Sequence, residues 1–467
     1  MKKLSKLIAF VLTTTFLILM FMIYRLNLIP IKYFLAIGGV LLLFVFGLDF
    51  KLIRKKTGLF SRVVFSLFSL ILIAGLIYGL TYINATYNFM NSILSKGYEI
   101  KNYAVVVNKS SGYSKIGDLN NKNIGYLKTD DYYNKAKKRI KKDIKYNEVS
   151  YSDIGNFATS VVSDDKSAIV LEKEYYNLLK EEYDSLTNTK IIKTYKIIVK
   201  KSNKKKIKDV SEPFVMYISG IDTYGNISSV SRSDVNIIAV VNPTTEKILL
   251  VSIPRDYYVQ LHGTTGVKDK LTHAGIYGID MSVNTLEDLL DEDIDYYLRL
   301  NFSTLTKSID LIGGIDVYSD RTFTSYVNKN ITITEGMNHM NGEEALAFAR
   351  ERHAYSTGDR HRGENQQAII TAMINKLADV SNITKYKDIL SSLDGTFETS
   401  MSYDELTNLF KLQIDKKINW DVSSISLDGS GSMQKTYSMG NRNLYVMIPD
   451  EASVSDAKVK IDEYMKK

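Results

Sequence analysis

Three stretches without a charged side chain dominate the first ninety residues: 7–24, 33–48 and 63–90. A helix needs about 20 mostly apolar residues to cross a bilayer. The first stretch fits. The second is short, but Lys32 and Asp49 flank it and their side chains can snorkel. The third has residues to spare, and 63–83 would suffice. The pattern predicts three transmembrane helices within residues 1–97. A cleaved signal peptide is the competing reading of the first stretch. No small-residue cleavage site follows Tyr24, and two more apolar stretches come next, so the spans are preferred.

Beyond the spans the pattern becomes that of globular units. In residues 98–208, "YAVVVNK" and "KIIVK" read as strands, and "YYNKAKKRIKKDI" and "EKEYYNLLKEEY" as helices. This is a small accessory α/β unit, closed by the charge run "KKSNKKKIK", a solvated linker. Residues 211–467 form the main unit. "PFVMYISGID" (213–222) is an apolar strand ending in Asp222, and "VNIIAVV" (235–241) and "ILLVSI" (248–253) are strands joined by the turn "NPTTEK". Helices are predicted over 282–290, 304–312, 341–352 (with Asn341 as its cap) and 365–380, and a strand over 295–302. Such alternation implies a sheet covered on both faces.

Charge adds an orientation. Lys2, Lys3, Lys6, Lys51, Arg54, Lys55, Lys56 and Arg62 precede the first span or lie between the second and third, against only Arg25 and Lys32 in the remaining loop. Eight against two places the N-terminus in the cytoplasm and everything after about residue 91 outside. The formal charge of +8 points to an anionic partner. Nucleic acid is not expected: the cytoplasmic loop, residues 49–62, is too short for a DNA-binding fold. Without cysteine there is no disulfide, thiol nucleophile or thiolate-bound metal, and no histidine pair has a zinc-motif spacing.

The chain uses lysine for 47 of its 60 basic residues, yet "RERHAYSTGDRHR" holds Arg350, Arg352, Arg360 and Arg362, inside a lysine-free stretch from residue 330 to 375. Guanidinium offers a rigid fork to two phosphate oxygens, where lysine offers a point charge. The bland alternative pairs Arg350 and Arg352 with Glu344 and Glu351, and Arg360 with Asp359. The clustering favours an anion site. Arg350 and Arg352 can serve one ligand only if the helix ends between them. If the strands at 235–241 and 248–253 form a hairpin, Asp234 and Arg255 share one end of the sheet, and Asp222 and Arg232 join them if the first strand pairs nearby. Carboxylates with open positions suit Mg²⁺, which takes one or two of them plus phosphate oxygens.

"SRSDVNIIAVVNPTTEKILLVSIPRDYYV", "DLIGGIDV", "EGMNHMNGEEALAFARER" and "GDRHRGENQQ" together resemble the LytR-CpsA-Psr family over residues 211–467. The three spans and the accessory unit resemble its streptococcal-type capsule branch. The resemblance implies a three-layer α/β/α sandwich with a mixed sheet that binds a polyprenyl phosphate. It implies a glycan-phosphate transferase moving a glycan, capsular polysaccharide in that branch, from a polyprenyl-pyrophosphate carrier onto peptidoglycan. By position, Asp222 and Asp234 would hold Mg²⁺ (or Mn²⁺), and Arg232, Arg255, Arg350, Arg352 and Arg362 the phosphates, with Gln366 beside them. Arg255 and Asp234 would stand nearest the chemistry. Arg360 has no counterpart, and Asn365 stands where the family often has arginine. His353 and His361 read as solvated or helix-end residues, and Trp420 as core. The rival readings are a lipid- or glycan-binding regulator without catalysis and a polyprenyl-pyrophosphate hydrolase.

Overall fold

The computed structural model describes residues 2–94, 97–163, 167–201, 209–221, 227, 231–355, 358–378 and 397–466. Three helices are long and apolar enough to cross a membrane: α1 (Lys2–Leu26), α2 (Ile31–Ile53) and α3 (Leu59–Ile93). They overrun the uncharged stretches because the flanking polar residues continue each helix. Leu12 and Phe16 of α1 pack on Leu48 and Leu52 of α2 and Ile73 and Leu76 of α3. Phe10, Leu17, Phe44, Phe46, Phe68 and Ile71 face outward, as a lipid solvent requires. Asp49 corrects the snorkelling expectation: it accepts a hydrogen bond from Thr13 inside the bundle. Lys32 does reach outward, to Asp415 at 2.8 Å.

The accessory unit comprises β1 (Tyr98–Asn108), β2 (Asn123–Leu127), α4 (Tyr133–Asp143), β3 (Asn147–Tyr151), α5 (Ile154–Ser163), β4 (Ser167–Glu172), α6 (Lys173–Glu182) and β5 (Thr189–Lys200). Its sheet runs β3-β2-β4-β1-β5. The long β1–β5 ladder extends both predicted strands. One of its cores continues into the next unit, where Phe157 and Leu179 share a cluster with Ile276, Met439 and Leu444.

The main unit opens with an antiparallel meander, β6 (Phe214–Ile221), β7 (Ser233–Asn242) and β8 (Lys247–Ser252). A short ladder of β9 (Tyr258–Val259) with β10 (Asp269–Lys270) leads to α7 (Leu271–Tyr277) and α8 (Ile279–Leu290). Then β11 (Tyr296–Asn301) lies parallel to β6, and α9 (Phe302–Leu311) follows. Next, β12 (Ile315–Ser319) pairs with β15 (Gly336–Met340), and β13 (Phe323–Thr324) with β14 (Thr332–Ile333). Helices α10 (Gly342–Arg350) and α11 (Asp359–Ala378) come next, then β16 (Phe397–Thr399), α12 (Tyr403–Lys416) and β17 (Asp421–Ser426), which lies parallel to β8. The chain closes with the hairpin β18 (Gly429–Lys435)–β19 (Asn443–Pro449) and α13 (Glu451–Met465).

The central sheet is mixed, ordered β16-β11-β6-β7-β8-β17. Its period-two alternation splits two cores. Val215, Tyr217, Ile238, Val240, Leu249 and Val251 face α7, α8 and α13. Ile218, Ile237, Ala239, Ile248 and Leu250 face α11 through Ile370 and Ile374, with Trp420 packed against the same cluster as expected. This is the three-layer α/β/α sandwich. The C-terminal ends of β6, β11, β8 and β17 point the same way, the end of an open α/β sheet where ligands collect.

Candidate functional site

The meander brings Asp234 and Arg255 to one end of the sheet. Ile237 pairs with Ser252 and Ser233 with Ile221, so the start of β7 lies beside the ends of β6 and β8. Asp234 opens β7 and Arg255 lies just past β8. Arg255 Nη1 is 2.8 Å from Asp234 Oδ1, and Thr272 Oγ1 donates to the same oxygen at 2.9 Å. Thr272 also donates its N–H to the Arg255 carbonyl at 2.9 Å. Lys270 holds the neighbouring Asp256 at 2.9 Å.

Arg362 arrives from the first turn of α11. It is buried, and its Nη2 donates to the Asp234 carbonyl at 3.4 Å. Gly363 permits this approach: a Cβ there would lie 2.6 Å from Ser252 Oγ. Burial disfavours the charged Asp234, but Arg255, Arg232, Arg362 and the Thr272 hydroxyl outweigh it and hold the carboxyl below its ordinary value. One ionised carboxylate thus sits among three guanidiniums.

The second arginine pair sits next door. Asn341 and Glu344 form a reciprocal cap on α10, and the helix stops at Arg350, with Glu351 already extended at φ −69° and ψ 132°. The condition for Arg350 and Arg352 to escape opposite helix faces is met. The two glutamates that the bland alternative assigned to these arginines make backbone bonds. Glu344 accepts the Asn341 N–H, and Glu351 accepts N–H bonds from Arg352, His353, Ala354 and Tyr326. Those bonds reverse the chain after the helix. Arg350 lies over the Phe302 ring, 4.5 Å from its centroid, at the C-terminal end of β11.

Gln366 Nε2 donates to the Ala349 carbonyl at 3.3 Å, tying α11 to the end of α10. Asn365 is buried and bonds the Phe348 carbonyl at 3.1 Å, so it braces the same junction. Arg360 points elsewhere, to Asp428 at 2.7 Å and Glu364 at 3.7 Å. His353 packs on Tyr326 and His361 on Tyr355, the latter 3.0 Å from Glu364. Burial lowers the His361 pKa against the pull of Glu364 and Asp320.

Asp222 lies outside the described residues. Asp234 suits a hard cation in being ionised, although Arg255 and Thr272 share its Oδ1. Among the described residues no group of three or more His, Cys, Asp or Glu clusters as a metal cage. A phosphate-bridged Mg²⁺ needs only one or two carboxylates, so the residues present fit that mode and not an all-protein cage.

Sequence reasoning missed three contributors. Thr272 lies in a seven-residue helix too short to show periodicity. Gln367 bridges the carbonyls of Leu250 and Ile425 across β8 and β17. Glu181, in the accessory unit, binds Arg232. Each acts across a distance in sequence that no local pattern reports.

The sequence matches the LytR_cpsA_psr family over residues 181–458. It is 32% identical over 271 residues to the polyisoprenyl-teichoic acid–peptidoglycan teichoic acid transferase TagU of Bacillus subtilis, covering 57% of this chain and 83% of that protein. The protein of the same name from Enterococcus faecalis is 31% identical over 246 residues, 52% of this chain and 78% of that one. The crystal structure of B. subtilis TagV superposes with a TM-score of 0.45 at 32% identity, over 55% of this chain and 98% of that chain. With the family match covering more than half of its length, the chain belongs to the LytR-CpsA-Psr family.

Proposed function

We propose that this protein is a membrane-anchored phosphotransferase that moves a glycan from a polyprenyl-pyrophosphate carrier onto peptidoglycan. The observation that carries the reading is the Asp234 carboxylate held at 2.8 Å by Arg255, with the buried Arg362 on its carbonyl, at the C-terminal end of the sheet. Arg255 and Arg362 against the single carboxylate of Asp234 leave a net positive pocket suited to a diphosphate. In this reading Arg255 and Arg362 hold the diphosphate, with Arg232, Arg350 and Arg352 at its edge and Gln366 bracing the helix junction. An acceptor hydroxyl attacks the sugar-proximal phosphorus, that phosphorus–oxygen bond to the carrier breaks, and polyprenyl phosphate leaves with the bridging oxygen. The arginines stabilise the charge gathering on that oxygen.

Asp234 anchors these guanidiniums. A carboxyl held below its ordinary pKa is a weak general base, so proton removal from the acceptor is not assigned to it. Mg²⁺ would neutralise charge on the diphosphate, and Asp234 with Asp222 are the residues to hold it.

The polymer proposed is capsular polysaccharide, from the three spans and accessory unit. Teichoic acid is the second reading, supported by the teichoic acid transferases among the relatives. The charge bias of the loops supports an N-terminus in the cytoplasm and the site outside the cell membrane. The test is transfer by the full-length protein in detergent, from a radiolabelled polyprenyl-pyrophosphate glycan to peptidoglycan. Transfer should stop with a chelator and return with Mg²⁺ or Mn²⁺. Chelator-resistant transfer removes the metal from the reading. Phosphate release without acceptor, and no transfer with it, makes the protein a hydrolase.

A further inference from the structure

Arg232 is already engaged, and by a residue from outside the sandwich. Its Nη1 and Nη2 donate to Glu181 Oε2 at 2.7 Å and Oε1 at 3.2 Å. Glu181 stands near the C-terminal end of α6, in the accessory unit. Two N–H groups facing two carboxylate oxygens is the same fork by which guanidinium takes two phosphate oxygens. That edge of Arg232 cannot serve both at once.

Both backbones that carry the pair are fixed. On α6, Tyr175 donates its hydroxyl to the Ser438 carbonyl at 2.6 Å, and Tyr183, just past the helix, donates to the Met439 carbonyl at 3.0 Å. On the other side α7 lies tight under the Arg232 segment: a Cβ on Gly275 would come within 2.5 Å of the Ser231 carbonyl oxygen. What remains adjustable is the two side chains. Glu181 is 53% exposed and Arg232 26%, so water competes for the pair, and exposed pairs of this kind are weak. A diphosphate gripped by Arg255 and Arg362 as well has the stronger claim on the fork.

We propose that Glu181 is a positioning residue that occupies the phosphate seat of Arg232 and is displaced when the carrier pyrophosphate enters, so that the accessory unit sets the affinity for the carrier. This rests on the phosphate-site reading above. After transfer, Glu181 reclaims Arg232, and the polyprenyl phosphate product loses one of its holders.

The test is calorimetric titration of the full-length protein in detergent with geranylgeranyl pyrophosphate. Glu181→Gln keeps the shape and removes the charge. It should bind roughly two- to fivefold tighter, the range an exposed pair can supply. Arg232→Gln should bind more weakly, and the double variant should match Arg232→Gln, because Glu181 acts only through that arginine. In the transfer assay Glu181→Gln should lower KM for the carrier without raising kcat, a split that general loosening of the fold would not produce. Equal or weaker binding by Glu181→Gln overturns the proposal. If Arg255→Gln weakens binding and Glu181→Gln does not change it, the phosphate site stands and only the role of Glu181 falls. If the wild type binds no pyrophosphate, both fall.

Discussion

Asp234→Asn takes one negative charge out of a pocket of guanidiniums and leaves side-chain size unchanged. The side chains of Asp234 and Arg255 are 11% and 17% exposed, so solvent screens the lost charge poorly. Removing one partner of a buried ion pair costs about 3–5 kcal/mol. The amide can still accept the Thr272 hydroxyl, which places the expected cost near the lower end, about 3 kcal/mol. At roughly 2–4 °C per kcal/mol for a domain of this size, the melting temperature should fall by about 6–12 °C. The pH dependence has a definite sign. The folded-state pKa of Asp234 is depressed, so its contribution is fully present above the ordinary value of 3.8 and is lost as pH falls through the folded value. Wild-type and variant melting curves, recorded on the full-length protein in detergent, should therefore lie apart at neutral pH and converge in acid. Asp234→Asn combined with Arg255→Met removes both charges and should be less unstable than the sum of the two single changes. Equal melting temperatures at neutral pH, or a gap that persists unchanged into acid, would refute the anchoring role.

Further tests follow from the same geometry. Arg255→Lys and Arg362→Lys keep charge but lose the fork; each should cut glycan transfer by roughly thirty- to a hundred-and-fiftyfold, on the order of 2–3 kcal/mol, while Arg360→Lys should transfer normally, since Arg360 is bound to Asp428. Three lysine variants at wild-type rate would mean that the site uses charge alone. The absence of cysteine makes single-cysteine labelling clean: Ser110→Cys should react in intact cells with a membrane-impermeant thiol reagent and Lys55→Cys only after lysis, and the reverse pattern inverts the topology.

Much of this was legible because it is local. The meander follows from two apolar runs and a polar turn, and it alone brings Asp234 to Arg255. Asn341 followed by Glu344 marks the start of α10, and the carboxylate of Glu351 explains its end. The start of α11 was hidden. "GDRHRGEN" is polar and carries a glycine, so the sequence pattern predicts a start at 365, yet the helix starts at Asp359. Gly363 is there for closeness to Ser252 and not to break the helix. The hold of Thr272 on Asp234 spans 38 residues and that of Glu181 on Arg232 spans 51. Pairings of that kind are fixed by how layers stack, and no periodicity encodes them.

The spans and the main unit meet at several points. Tyr403 donates its hydroxyl to the Leu26 carbonyl, Lys411 reaches Asn27, Lys32 reaches Asp415, and Phe89 packs edge-on against Phe397. Helix α3 is 35 residues long, about 52 Å at 1.5 Å per residue, against a hydrocarbon core of about 30 Å. Arg25 at the end of α1 bonds Tyr87 of α3, so only about two turns of α3 rise past the α1–α2 loop, and the contacts around α12 hold the sandwich against that loop. An enzyme so mounted has a fixed working height, as a tool clamped to a bench does. It cannot sweep through the wall on a flexible leash. In the proposed reading, a carrier sliding in the membrane plane reaches it by two-dimensional diffusion, whereas only wall strands passing at that height come within reach.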